Sequence, residues 1–361
     1  MTSSVGPGRR VPDVIRTDVQ SMHAYAIQDA RGLIKLDAME NPHGLPDALR
    51  QRLAGRLAGV ALNRYPGPRI DELRAALARH AGLPDSHALM LGNGSDELIS
   101  LLTLACNRSG ATVLAPQPGF VMYAMSAQLL GLRFVGVDLT ADFELDEAAM
   151  LAAIERERPA VVWLAYPNNP TANLWDDAVI ERIIAASPGL VVLDEAYQPF
   201  AGRSWAGRYA RWPHVLLMRT LSKFGLAGVR IGYLMGPAAI IGEIDKLRPP
   251  YNVSVLNAEA ALFALEHAEV YAAQAADIRR QRARLVEALS RRPGVQVWPS
   301  EANMILVRVP DADATFAALR AGGVLVKNVS RMHPLLANCL RLTVGTTDEC
   351  DRLLAAFPAR P

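Results

Sequence analysis

Residues 160–197 read AVVWLAYPNNPTANLWDDAVIERIIAASPGLVVLDEAY. Two unbroken apolar runs, 160–165 and 190–193, flank a helical pattern over 176–186. Strands written as continuous apolar runs are buried on both faces, which is the mark of a largely parallel sheet covered by helices. The same alternation extends outward. Runs at 88–91, 112–115, 134–137, 215–218 and 231–235 look like further strands, and 97–105 and 146–157 like further helices. The expected fold is α/β, with a mostly parallel seven-stranded sheet between helices. Residues 254–291 turn mostly helical. Beyond them short strands at 295–298, 304–309, 324–326 and 340–344, with helices near 312–321 and 347–357, predict a smaller α/β domain. The expected division is an N-terminal segment (1–45) packing with the small domain, a large domain (46–250) and a small C-terminal domain (251–361). No internal repeat or low-complexity linker interrupts it.

Charge excludes some partners. The 361 residues carry 38 basic and 36 acidic side chains, interspersed, for a net charge of +2, so the basic footprint of a nucleic-acid binder is missing. Three cysteines without metal-type spacing suit reduced thiols better than a disulfide scaffold or a zinc site, and no metal is expected. Residues 109–132 carry no charge, but Pro116, Gln117, Pro118 and Gln128 divide them into strand, turn and helix. The polar start lacks the apolar core of a signal peptide. A cytoplasmic protein off the membrane is expected.

In a sheet of this kind ligands bind beyond the carboxyl ends of the strands, and five segments there carry chemistry. The strand at 190–193 ends in Asp194, Glu195 and, three residues past Asp194, Tyr197. An acid ending a buried strand is aimed at a partner or caps a helix. Residues 219–225, RTLSKFG, follow another strand and place Lys223 among Thr220 and Ser222, with Arg230 seven residues on. Lysine is scarce: Lys35, Lys223, Lys246 and Lys327 are the only four. Hydroxyls and an arginine around one amine make a phosphate cradle beside a nucleophile, and the apolar frame of Leu221, Phe224, Leu226 and Val229 argues against a solvated surface lysine. Residues 92–98, GNGSDEL, open a helix with glycine-rich backbone whose N–H groups suit a phosphate, although such turns also carry Gly and Ser for geometry alone. Residues 166–171, YPNNPT, project side-chain amides from a rigid turn. In 116–120, PQPGF, an aromatic ends a strand where a planar ring could stack, or simply joins the core. Together the five ask for a planar, phosphorylated, lysine-reactive ligand whose ring prefers an acid partner. Pyridoxal 5′-phosphate has all of these features.

The run 219–233, RTLSKFGLAGVRIGY, resembles the Schiff-base lysine segment of the fold-type I pyridoxal-phosphate-dependent aminotransferases, and the likeness covers nearly the whole chain. Within that family, 35–42 (KLDAMENP), 92–97 (GNGSDE), 247–253 (LRPPYNV) and 339–345 (CLRLTVG) are similar to the histidinol-phosphate aminotransferases. The resemblance implies that Lys223 forms the Schiff base, Asp194 pairs with the pyridine nitrogen, and Asn169 and Tyr197 contact the phenolic oxygen. Phe120 would stack on the ring. Gly94, Ser95, Asp96, Thr220, Ser222 and Arg230 would hold the phosphate, and Tyr65 would reach it from the partner of a homodimer with shared sites. For substrate the resemblance implies Arg341 and Lys327 at the anionic end, with Tyr25 nearby. It further implies transamination of a phosphorylated amine with 2-oxoglutarate. Lys327 stands where arginine is common, exchanging a bidentate fork for a point charge, and Ala172 replaces a glycine usual after Asn-Pro-Thr. An aromatic amino acid aminotransferase and a phosphothreonine-type decarboxylase would use the same cofactor residues. A cofactor-sensing regulator would need a DNA-binding module, and a purely structural protein would have no use for Lys223 in that setting.

Overall fold

Alternation along the central strands explains the layers. In strand Leu190–Asp194, Val191 and Leu193 join one buried cluster while Val192 points into a second. Strand Val215–Thr220 repeats this, with Val215 and Leu217 on the first side and Leu216 and Met218 on the second. Successive residues of a strand face opposite sides, so this sheet is covered twice. The first side meets Leu73 and Leu77 of helix Pro68–Ala81 and Ile180, Ile183 and Ile184 of helix Asp177–Ala186. The second meets Leu98 and Ile99 of helix Ser95–Ala105 and Ile241 and Ile244 of helix Ala238–Asp245.

The structure, a computed structural model, describes residues 14–22 and 28–359. Its seven-stranded sheet runs in the order His87–Gly92, Gly232–Pro237, Val215–Thr220, Leu190–Asp194, Val161–Ala165, Thr112–Gln117, Arg133–Asp138. All seven expected runs are strands of this one sheet. Gly232–Pro237 alone runs against its neighbours. A parallel return needs a crossover of a dozen or more residues, and the short turns between Thr220 and Gly232 do not supply one.

Residues beyond Ser254 form helices Val255–Glu266 and Ala268–Ser290, then a four-stranded antiparallel sheet in the order Lys327–Asn328, Cys339–Thr343, Met304–Arg308, Gln296–Val297. The run at 324–326 is not part of that sheet: Val324–Leu325 pairs in parallel with Ile34–Lys35 as a separate ladder, and the chain joins the four-stranded sheet only at Lys327. A third cluster, with Ile278, Leu285, Met304, Leu319 and Leu353, fills this region. The chain divides into two units, residues 1–31 and Gly32–Pro361. Described residues of the first form a short helix, Thr17–Gln20, with an Arg16–Asp18 ion pair. Among the described residues no helix is long and apolar enough to cross a membrane.

Candidate active site

The period of two sorts the acids and bases at the strand ends. Glu195 and Arg219 turn to the first side of the sheet and form a buried ion pair at 2.8 Å, joined by the Ser204 hydroxyl and the Trp205 N–H. Removing one partner of such a pair costs about 3–5 kcal/mol, so it braces two neighbouring strand ends from behind. Asp194 and Thr220 end on the second side, where the remaining chemistry gathers.

Asp194 is 4% exposed; the Tyr123 hydroxyl donates to its Oδ2 at 2.6 Å and the Ala196 N–H to its Oδ1 at 3.0 Å. It caps no α-helix, since a turn and the 3-10 segment Gln198–Phe200 follow. Burial pushes its pKa up to about 6, with the Tyr123 and Ala196 bonds pulling the other way. A carboxylate in that condition gains from a cationic hydrogen-bond donor. Tyr123 is the functional neighbour that the sequence reading misses. It lies in helix Val121–Leu129, stacked on Trp163 at 4.7 Å, and a tyrosine in an apolar helix gives no local sign of a partner 71 residues away.

After Thr220 the chain bends through Ser222–Leu226, with Gly225 at φ 139°, and a 3-10 turn over Ala227–Val229. A Cβ on Gly225 would meet the Tyr271 ring at 2.8 Å, so only glycine admits this bend. The Lys223 ammonium donates to the Ala38 carbonyl at 3.2 Å and lies 5.7 Å from the centre of the Tyr197 ring. Burial lowers its pKa to about 8, with the Arg341 charge acting in the same direction and Glu40 and Asp96 opposing. Near neutral pH a useful fraction is therefore free amine. Lys35 and Lys246 instead form ion pairs with Glu40 and Glu243.

Around it lies a cradle of donors. Thr220 Oγ1 and Ser222 Oγ are 3.0 Å apart, and Arg230, itself at φ 55°, reaches Ser222 Oγ at 3.4 Å and Asp96 Oδ2 at 3.3 Å. Gly94 precedes helix Ser95–Ala105 at φ 80° with no side-chain cap, leaving the first N–H groups of the helix for an anion. A Cβ on Gly94 would stand 2.6 Å from Arg230 Nη2, and one on Gly232 would strike the Ser95 nitrogen at 2.7 Å. Two glycines thus open the space between helix terminus and arginine. Asp96 brings a carboxylate that pairs with Arg230, so its contribution to an anion is its backbone N–H.

Phe120, Tyr123, Asn169, Asp194, Tyr197 and Ser95 line one small cavity at these strand ends. Burial raises the Tyr197 hydroxyl pKa well above its ordinary value, so it remains a donor. Arg341 enters from strand Cys339–Thr343, giving one terminal nitrogen to Asn169 Oδ1 and the other to the Asp37 carbonyl, each at 2.8 Å. Lys327 sits directly opposite Arg341 in antiparallel register. The turn after Asn169 is intact with Ala172 at φ 65°, a left-handed conformation that explains why glycine suits this place. Two sequence candidates are not brought here. Tyr65 is 77% exposed and stacks on Tyr251 at 4.4 Å, and Tyr25 lies outside the described residues.

The chain is similar to known proteins over almost its full length. A family model, aminotransferase class I and II, matches residues 31–357. A histidinol-phosphate aminotransferase of Methylibium petroleiphilum is 70% identical over 351 residues, 96% of this chain and 95% of that protein. One of Polaromonas naphthalenivorans is 68% identical, covering 96% of each. Among solved structures, the histidinol-phosphate aminotransferase of Sinorhizobium meliloti in complex with pyridoxal-5′-phosphate superposes with a TM-score of 0.83 at 25% identity, over 96% of this chain and 97% of that one.

Proposed function

The chain belongs to the class I and II aminotransferases, and from that premise we propose that it moves the amino group of L-histidinol phosphate to 2-oxoglutarate, in histidine biosynthesis, with pyridoxal 5′-phosphate as cofactor. The observation that carries the substrate class is Arg341, which reaches Asn169 of the cavity and has Lys327 directly opposite it on the neighbouring strand. The names of the similar proteins support the same reading. The donor set fits the cofactor: a buried Asp194 with a raised pKa suits a protonated ring nitrogen, and the space that Gly94 and Gly232 keep beside Arg230 suits a phosphate. Lys223 would carry the cofactor, Asn169 and Tyr197 would meet its phenolic oxygen, and Phe120 would lie on its face. The phosphate would be held by the Gly94–Asp96 turn, Thr220, Ser222 and Arg230. Bound there, the cofactor supplies an electron sink for the substrate Cα.

The side chains do the rest. Lys223 Nζ, free amine in useful amount near pH 8, takes up the Cα proton as base and delivers it again as acid. Asp194 stays ionised against a ring cation, with Tyr123 holding its second oxygen in place. Arg341 and Lys327 anchor the substrate's anionic end and so turn its Cα–H bond toward Lys223. Charge-assisted contacts to a phosphate contribute about 1.5–3 kcal/mol each. Arg341→Ala should therefore lower kcat/KM for histidinol phosphate by at least about tenfold, while unphosphorylated histidinol should be a poor substrate of the parent and change little. Should the parent use phenylalanine or histidinol as efficiently as histidinol phosphate, the substrate assignment fails and the aminotransferase class alone stands.

The working unit in this reading is a homodimer in the cytoplasm. Tyr65 and Tyr251 form an exposed aromatic pair, and large exposed aromatics mark interfaces. Tyr65 would reach the partner's phosphate site. Mixing Tyr65→Ala chains with Lys223→Ala chains should then recover activity, because one site of each heterodimer carries both lesions and the other neither. Verified heterodimers with no recovered activity would show that the sites are not shared. The division into residues 1–45, 46–250 and 251–361 belongs to the same proposal. The ladder between Ile34–Lys35 and Val324–Leu325 supports placing the end of the first segment with the last.

A further inference from the structure

We propose that Asn303 and Thr343 are positioning residues for the Lys223 amine, acting through the backbone of residues 37–40, which they clamp into a left-handed bend at Met39. Met39 has φ 51° and is buried, a conformation that residues with a Cβ seldom adopt and that persists only where the surroundings enforce it. Both of its backbone polar groups are taken by side chains. Its N–H donates to Thr343 Oγ1 at 3.0 Å, and its carbonyl accepts from Asn303 Nδ2 at 3.0 Å. The same Asn303 amide reaches the Glu40 carbonyl at 3.4 Å, and the Thr343 N–H donates to the Leu36 carbonyl at 2.9 Å.

The two clamping residues are themselves fixed. Thr343 pairs with Met304 in the antiparallel register, which puts Asn303 at the adjoining strand end, and the Val344 N–H donates to the Asn303 carbonyl at 2.9 Å. Asn303 is fully buried and Thr343 nearly so. What the bend presents is two successive carbonyls: that of Asp37 accepts from Arg341, and that of Ala38 accepts from Lys223. Thr343 and Arg341 are two apart on one strand and so face the same side. One strand thus carries the substrate arginine and the hydroxyl that shapes the segment lying over both cations. A free Lys223 amine with one hydrogen on a fixed Ala38 carbonyl has its lone pair aimed; with the carbonyl loose it would not.

This inference rests on the reading of Lys223 as the reacting amine. Its test uses the full-length protein stripped of cofactor. The pH midpoint for labelling Lys223 with a small acylating reagent is read by peptide mapping, and melting temperature reports folding. The charged residues facing the amine, Arg341, Arg230, Glu40 and Asp96, are all retained in every variant. A carbonyl acceptor favours the ammonium form, so Thr343→Val and Asn303→Ala should each lower the midpoint by about one pH unit. In the cofactor-loaded enzyme they should cut kcat by about tenfold or more with KM for the amine nearly kept. Thr343→Ser, which keeps the hydroxyl, should return the parent midpoint. If Asn303→Ala does not fold, Thr343→Val decides alone. A midpoint that stays or rises in the folded Thr343→Val protein overturns the proposal. Failure of the underlying reading has a different signature, since Lys223→Ala would then retain transamination whatever the midpoints do.

Discussion

Lys223→Ala is expected to lose the borohydride-reducible attachment of cofactor and to slow transamination by about four orders of magnitude. Two functions disappear together. The covalent anchor goes, and so does the base that handles the Cα proton, a role worth about 10²–10⁴-fold where it has been separated. The chain has only three other lysines. Lys35 and Lys246 are engaged with Glu40 and Glu243, and in the proposed site Lys327 serves the substrate anion, so none should take over. The pH profile should change in kind as well. A base whose pKa burial has lowered to about 8 is mostly protonated below that pH and mostly free above it, so the parent's single-turnover rate should rise through that region. The variant should lack that limb. If reduction still tags the variant, and mapping finds Lys35, Lys246 or Lys327, the assignment is wrong.

The second large effect belongs to Asp194. Asp194→Asn keeps the shape; its amide oxygen can accept the Ala196 N–H and its Nδ2 can donate to the Tyr123 hydroxyl oxygen, so the protein should fold and bind cofactor. What it cannot do is hold a proton on the ring nitrogen by charge. A loss of at least about a thousandfold in turnover is expected, equivalent to ~4 kcal/mol of transition-state stabilisation. Absorbance of the bound cofactor would report retained binding in the same sample. Near-normal turnover would reduce Asp194 to its local bond with Ala196, a turn residue and nothing more. The structure makes that outcome costly to explain, because burying a carboxylate this deeply for a turn alone is unfavourable.

Much of the site is legible in the sequence because its parts are local. Lys223 with Thr220, Ser222 and Arg230 spans eleven residues, and a glycine-rich turn before a helix announces itself at Gly92–Ser95. Each sits where a buried strand runs out, so finding the strands finds the candidates. The parts that escape are contacts across long separations. Tyr123 on Asp194, Arg219 on Glu195, and the Ala38 carbonyl on Lys223 leave no periodic or compositional trace.

By itself the sequence determined the layered α/β plan, because unbroken apolar runs have only one way to be covered, and it determined which segments meet at the strand ends. Its resemblance to the fold-type I aminotransferases also singled out Asp194 of the two adjacent acids as the partner of the ring nitrogen. Only the tertiary structure decided the partner of each. Asp194 is on the side of Tyr123 and Thr220, and Glu195 is spent on Arg219 behind the sheet. It likewise decided that the strand at Gly232–Pro237 runs antiparallel and that Lys327 stands opposite Arg341. The physical reason is common to all of these. Strand periodicity is written in the order of residues, whereas the choice of face, direction and register is set by which arrangement buries both sides of the sheet at once.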